Sequence, residues 1–65
     1  MKIYLNGQLL PTSCCNLLEL IQDLSLKGKR FAVEYNSQII SKSKLEYTSL
    51  SEFDRIEIIH AVGGG

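Results

Sequence analysis

The residues of this chain that could take part in chemistry fall in three places. The sequence finishes Gly63-Gly64-Gly65, it carries two adjacent thiols at Cys14 and Cys15, and Lys27, Lys29 and Arg30 cluster around Gly28. Glycines offer no side chain for packing or hydrogen bonding, and ordering them costs more backbone entropy than any other residue. Three of them are either a frayed terminus or a thread, about 10 Å long at full extension, that carries the Gly65 carboxylate into another protein's active site. A narrow channel would admit such a thread because it has no Cβ atoms to collide. On that reading Gly65 is the reacting group, Gly63 and Gly64 give it access, and the catalytic groups belong to the partner.

The thiols point to less. Neighbouring Cα atoms across a trans peptide sit closer than an ordinary disulfide allows, so Cys14 and Cys15 cannot staple the fold. With only His60 in addition, the paired spacing of a zinc site is missing and no metal is expected. Two readings stay open for the pair: small residues packed where a helix begins, or a thiol activated by a lowered pKa near that helix start. The basic cluster around Gly28 suits the negative end of a helix dipole, with phosphate binding as the alternative.

Such residues need a scaffold, and the chain has room for one. Its 65 residues are 45% apolar and 22% charged, the composition of one small globular domain. A domain of this size buries only about 60% of its unfolded surface, which weighs against a deep catalytic cavity and so against an enzyme. Seven Lys plus Arg balance seven Asp plus Glu. Zero net charge removes the electrostatic drive of a general nucleic-acid or acidic-membrane binder, so no nucleic acid and no membrane is expected as a partner. Met1 to Gly7 turns polar too soon for a signal core, and no stretch approaches the roughly 20 apolar residues of a membrane span, so a cytoplasmic protein is expected.

Along the chain, Ile3 and Leu5 alternate with Lys2 and Tyr4 ahead of Asn6-Gly7, the strongest short hairpin signal. Gln8 to Leu10 should return antiparallel, and Pro11 should close that strand. Thr12, Ser13 and Asn16 offer capping oxygens, and Asn16 to Glu19 has capping-box spacing. A helix is predicted from there, with Leu17, Leu20, Ile21 and Leu24 as one apolar stripe. Phe31, Val33 and Tyr35 alternate as a strand, Asn36-Ser37 marks a turn, and Gln38 to Ile40 is a short run. Ser41 to Glu52 reads as an irregular connection pinned by Leu45, Tyr47 and Leu50. Arg55 to Val62 is the last predicted strand. The order predicts an α+β roll in which a mixed four- to five-stranded sheet carries one main helix on one face. Residues 1–62 form the domain and 63–65 its flexible tail. Ile3, Leu5, Val33, Ile56 and Ile58 should face the helix, which leaves Tyr4, Ala32 and Ile59 on the open face as candidate docking residues.

These residues together resemble the ThiS family of small sulfur carriers in thiamine biosynthesis, which have the ubiquitin-like β-grasp fold. The resemblance runs through the Asn6-Gly7 turn, the Leu17 to Leu24 helix, Val33-Glu34-Tyr35-Asn36, Ile39-Ile40 and the closing run from Asp54 through His60 to Gly65. It departs from the family pattern at Phe53, where Gly commonly precedes the Asp, and at Leu45, where an aromatic is frequent. The resemblance implies that the chain is not an enzyme and binds no cofactor of its own. An E1-like adenylyltransferase of the ThiF type would use ATP and Mg to adenylate Gly65, sulfur from a donor such as a cysteine desulfurase would give a thiocarboxylate, and a thiazole synthase of the ThiG type would receive it. Alternatives are a carrier like the small subunit of molybdopterin synthase, a ubiquitin-type modifier, a β-grasp interaction module with inert glycines, and a thiol redox protein.

Overall fold

The computed structural model describes residues 1–26 and 29–60. Ala61 and Val62 at the end of the last predicted strand, the tail residues Gly63, Gly64 and Gly65, and Lys27 and Gly28 of the basic cluster lie outside the described residues.

Five strands, β1 (Lys2–Leu5), β2 (Gln8–Pro11), β3 (Phe31–Tyr35), β4 (Gln38–Ile40) and β5 (Arg55–His60), form one mixed sheet in the order β2-β1-β5-β3-β4. One helix, α1 (Leu17–Asp23), and a 3-10 helix, η1 (Lys42–Tyr47), complete the described fold. β5 lies in the middle, parallel to β1 and antiparallel to β3. Both hairpin turns have positive φ at their two central residues, 51° and 83° at Asn6-Gly7 and 49° and 72° at Asn36-Ser37. That backbone twist matches the twist of the flanking strands.

The two asparagines also clasp β5. Asn6 N–H donates to the Ile56 carbonyl at 2.9 Å, and Ile58 N–H donates to Asn6 Oδ1 at 2.8 Å. Asn36 N–H donates to the Arg55 carbonyl at 2.8 Å, and Arg55 N–H donates to Asn36 Oδ1 at 2.8 Å. Each asparagine therefore acts as a short extra rung on one side of the central strand.

Helix α1 begins as its sequence predicts. Glu19 N–H donates to Asn16 Oδ1 at 2.9 Å, while the Glu19 carboxylate reaches back to Cys15 N–H at 2.8 Å, one residue before the usual capping-box partner. At seven residues the helix is too short to persist alone, so packing must hold it. Leu17, Leu20 and Ile21 are buried against Ile3, Val33, Ile56 and Ile58, with Leu5 packed at the edge. Leu24 breaks from the predicted stripe and is 38% exposed.

The helix stops early, and that explains Leu24. Ser25 takes a left-handed conformation with φ 58°. Its N–H bonds the Gln22 carbonyl at 3.0 Å, and Leu26 N–H bonds the Ile21 carbonyl at 3.2 Å. This is a Schellman motif, in which the residue after the left-handed one packs against the last turn. Leu26 accordingly takes the core place expected of Leu24 and is buried. Of the basic cluster predicted to suit the helix dipole, the described members Lys29 and Arg30 lie beyond the helix, just before β3, and the last turn of α1 holds no basic residue.

In the connection, Leu45 and Leu50 are buried as predicted, but Tyr47 is 79% exposed. With three residues per turn, Tyr47 lies two-thirds of a turn from Leu45 and cannot share its inward face. The turn before β5 forms despite Phe53, which adopts φ 65° and donates its N–H to the Lys2 carbonyl at 2.7 Å. The left-handed backbone there explains why glycine suits this position.

Asp54 ties that turn to the sheet. Its carboxylate accepts from Ser51 N–H at 2.7 Å, from Asn36 Nδ2 at 3.3 Å and from the Tyr35 hydroxyl. Burial pushes the Asp54 pKa up, but the hydrogen bonds from Tyr35, Ser51 and Asn36 outweigh it and hold the carboxyl below its ordinary value. The same bond, helped by burial and the Asp54 charge, pushes the Tyr35 phenol up to about 12.

Two outcomes follow for stability. Ser25→Gly removes the left-handed penalty of a residue with a Cβ and should stabilise the fold by about 1 kcal/mol, read as a higher urea midpoint at unchanged slope. Asp54 binds its proton less tightly in the folded chain, so its contribution is present above pH ~4 and is lost as pH falls through the lower folded value. Tyr35 holds its proton more tightly, so its contribution is complete below pH ~10 and is lost on rising to about 12. Tyr35→Phe should flatten both limbs of the stability profile measured by urea melts across pH, and unchanged limbs would refute the coupling.

Candidate functional site: the open sheet face and the end of β5

The strand register places Tyr4, Arg55, Glu57 and Ile59 on the face away from α1, together with Ala32 and Glu34 of β3 and Leu9 and Ile39 of the edge strands. This is the face assigned to Tyr4, Ala32 and Ile59 from the sequence. Ala32 and Ile59 are direct cross-strand partners, and Ile59 is 47% exposed. Tyr4 is set apart from them. It lies opposite Arg55, four residues before Ile59 along β5 and hence about 13 Å away. The structure thus unites two of the three candidates and places the third near the start of β5.

The surroundings of the two places differ. Tyr4 is half-buried, with the Phe53 ring centroid 6.4 Å away and the Arg55 guanidinium 5.8 Å from its own ring centroid. A groove of about 310 Å³ beside it is lined by Tyr4, Gly7, Arg55, Ile56 and Glu57. Glu34 and Glu57 are direct partners in the middle of the face, and Arg55 lines the small cleft that they share with Ser37. The Arg55 charge there offsets the repulsion expected of two carboxylates directly opposite each other.

The far end of β5 is more open. A second groove, of about 320 Å³, is lined by Arg30, Phe31, Ala32, Ile59 and His60 and shares no residue with the first. β1 pairs with β5 only as far as Leu5 opposite Ile56, whereas β3 accompanies β5 to Phe31 opposite His60. Ile59 and His60 therefore lie beyond the β1 register. This is the point at which the chain continues from the sheet toward Gly65.

The thiols are placed apart from both grooves. Cys14 is buried among the residues that meet the helix, and Cys15 is exposed; both are free. Burial pushes the Cys14 thiol above its ordinary value. The Thr12 hydrogen bond opposes that shift, while a hydrogen bond to Asp23 Oδ2 at 3.4 Å and nearby carboxylate charge add to it. The activated-thiol expectation is thus reversed at Cys14, because a carboxylate neighbour and burial both penalise a thiolate. Among the described residues no group of three or more His, Cys, Asp or Glu side chains is placed to hold a metal, and no helix is long and apolar enough to cross a membrane. The arrangement can present a strand end and two surface grooves to a macromolecule.

The open-face reading has a direct check. Ile59→Glu puts a charge into an exposed apolar contact without touching the core, so it should weaken association with a cognate adenylyltransferase by about tenfold or more at unchanged thermal stability. Calorimetric titration showing wild-type affinity would refute a docking role for Ile59.

Comparison with known proteins agrees with this geometry. The ThiS family model matches residues 3–65. The crystal structure of a thiamine biosynthesis protein (ThiS) from Geobacter metallireducens superposes with a TM-score of 0.84 at 23% identity, covering all of both chains. The sulfur carrier protein ThiS of Bacillus subtilis is 40% identical over 47 residues, 72% of this chain and 71% of that protein. A thiazole synthase from Magnetococcus marinus is 36% identical over 66 residues, matching all of this chain. The chain spans about one fifth of the length of that protein and of a similar thiazole synthase from Paramagnetospirillum magneticum. With the five-stranded mixed sheet, the one α-helix among the described residues and a family match over nearly the whole sequence, the chain belongs to the ThiS family and has the ubiquitin-like β-grasp fold.

Proposed function

We propose that the chain carries sulfur for thiazole formation in thiamine biosynthesis as a thiocarboxylate on Gly65, and that it acts as co-substrate of partner enzymes. The observation that carries this reading is the position of β5: the central strand of the sheet finishes beside an open groove, and the residues that follow it lead to Gly63-Gly64-Gly65. A rigid domain then offers the docking surface while the glycines reach into the partner.

A carboxylate resists nucleophiles because its charge is delocalised and its leaving group would be oxide. An E1-like adenylyltransferase of the ThiF type removes that obstacle with Mg-ATP. A carboxylate oxygen of Gly65 attacks the α-phosphate, pyrophosphate departs, and the acyl group becomes an adenylate. The outer sulfur of a persulfide, formed from cysteine on a donor such as a cysteine desulfurase, then attacks the acyl carbon and displaces AMP, and a thiol cleaves the resulting acyl disulfide to leave the thiocarboxylate. A thiazole synthase of the ThiG type takes the sulfur. The matches between this chain and one fifth of two thiazole synthases support that recipient. ATP and Mg belong to the adenylyltransferase, and no catalytic residue is assigned to this chain.

Adenylation requires the carboxylate to meet the α-phosphate in line with departing pyrophosphate, a geometry satisfied only to within about an ångström. Removing Gly65 shortens the thread, and appending residues converts its carboxylate to an amide. Both changes should abolish ATP–pyrophosphate exchange at unchanged melting temperature, and Gly64→Ala should have an intermediate effect by adding a methyl group and restricting positive φ. Intact-mass detection of a thiocarboxylate on a chain lacking Gly64 and Gly65 would overturn the assignment in favour of an interaction module with inert glycines.

A further inference from the structure

We propose that Arg30 and Lys42 form a basic collar around the far end of β5, and that this collar docks on a carboxylate-bearing rim at the mouth of the adenylyltransferase channel that admits the glycine tail. The inference rests on the carrier reading and adds to it the chemistry of the partner's surface.

Three observations place the collar. Arg30 immediately precedes β3, whose first residue, Phe31, pairs with His60 at the end of β5, and Arg30 lines the groove there with Ala32 and Ile59 of the open face. Lys42 approaches from the other side of the sheet. Its Nζ lies 4.7 Å from the centroid of the Phe31 ring, a residue that packs against the core with Val33. Cation–π attraction of this kind holds an ammonium group in place without neutralising it. Exposed Lys29 adds a third cation one residue earlier.

The carboxylates of the sheet and of the turn before β5 are placed elsewhere, and Glu46 shares η1 with Lys42. The groove at the strand end is lined by no Asp or Glu. The cross-strand pair Glu34 and Glu57 lies three residues back along β5, about 10 Å away, and Asp54 and Glu52 lie at or before its start. Along β5 the carboxylates thus lie toward the start and the middle of the strand, whereas its described end is flanked by cations. Two or three cations on so small an area are too few for sequence-independent nucleic-acid binding, which draws on many phosphate contacts. They are suited to orienting one protein on another, because complementary charge at a docking rim raises association rate and fixes register. A channel that accepts the tail must bring its rim against the residues at the tail's root, and carboxylates there would meet the collar.

The test compares variants of equal charge change at different positions. Arg30→Glu and Lys42→Glu should each lower kcat/KM for the carrier in ATP–pyrophosphate exchange by about tenfold at low ionic strength, near 0.02 M. The deficit should shrink to within about twofold near 0.5 M salt, where exposed charges are screened. Lys44→Glu, two-thirds of a turn around η1 from Lys42, should have less than about a twofold effect. The KM for ATP and kcat at saturating carrier should stay at wild-type values throughout, and Arg30→Gln and Lys42→Gln should show the same ordering with smaller effects. Equal losses at Lys42 and Lys44 would overturn the collar, as would wild-type kcat/KM in the Arg30 and Lys42 variants. A raised KM for ATP would overturn it in favour of direct contact with nucleotide phosphate. Absence of exchange with the wild-type chain would instead bring down the carrier reading, and this inference with it.

Discussion

The structure depends on the hydrogen-bonded seating of β5 between β1 and β3. β5 comes last among the strands yet lies in the middle, so the sheet cannot form without it. Its inward residues Ile56 and Ile58 are buried against α1, and both of its edges are engaged over the first half of its length. Pairing with β1 is parallel and spans only two registered residues, Tyr4 opposite Arg55 and Leu5 opposite Ile56. The side chains of Asn6 and Asn36 extend the rungs that such short pairing leaves incomplete, which makes the two hairpin turns part of the central strand's support. A buried backbone group without a partner is costly, and each asparagine offers one side-chain acceptor where a strand neighbour is missing.

That seating has two consequences for function. The start of β5 is held by Asp54, Tyr35 and Asn36, by the Tyr4 N–H bond to the Asp54 carbonyl at 2.8 Å and by the Phe53 N–H bond to Lys2. The far end is accompanied by β3 but lies beyond the β1 register, so it projects Ile59 and His60 beside a groove instead of into a packed layer. One strand thereby joins a rigid anchor to an accessible end. The proposed carrier role calls for both, since a partner would grip a stable surface while it works on a residue a few positions farther on.

The short helix and the 48–50 segment support this from behind. Leu17 N–H donates to the Thr48 carbonyl at 3.0 Å and Leu50 N–H to the Cys15 carbonyl at 2.9 Å, so the helix start is tied to the segment that leads into β5. Cys14 sits in that junction as a small packing residue. Its raised pKa fits a structural role.

Much of this was legible in the sequence because it is encoded locally. Asn6-Gly7 and Asn36-Ser37 specify turns through their tolerance of positive φ, Asn16 and Glu19 specify a helix start through their side-chain oxygens, and period-two alternation marks the inward faces of β1, β3 and β5. The glycine tail and the family pattern that points to a carrier are likewise properties of the sequence alone. Other features required the fold to choose between local options of similar energy. Leu24 and Leu26 could each have been the last buried residue of the helix, and the Schellman closure at Ser25 chose Leu26. Tyr47 was as apolar a pin as Leu45 until the 3-10 geometry turned it outward. Tyr4 shares a face with Ile59 by parity, but only the β1–β5 register sets the distance between them. The basic residues after the helix read locally as partners for its dipole, and it is the pairing of Phe31 with His60 that carries Arg30 to the strand end. Periodicity gives the side of an element on which a residue lies, whereas its neighbours across the sheet depend on strand order and register, which are decided by long-range burial.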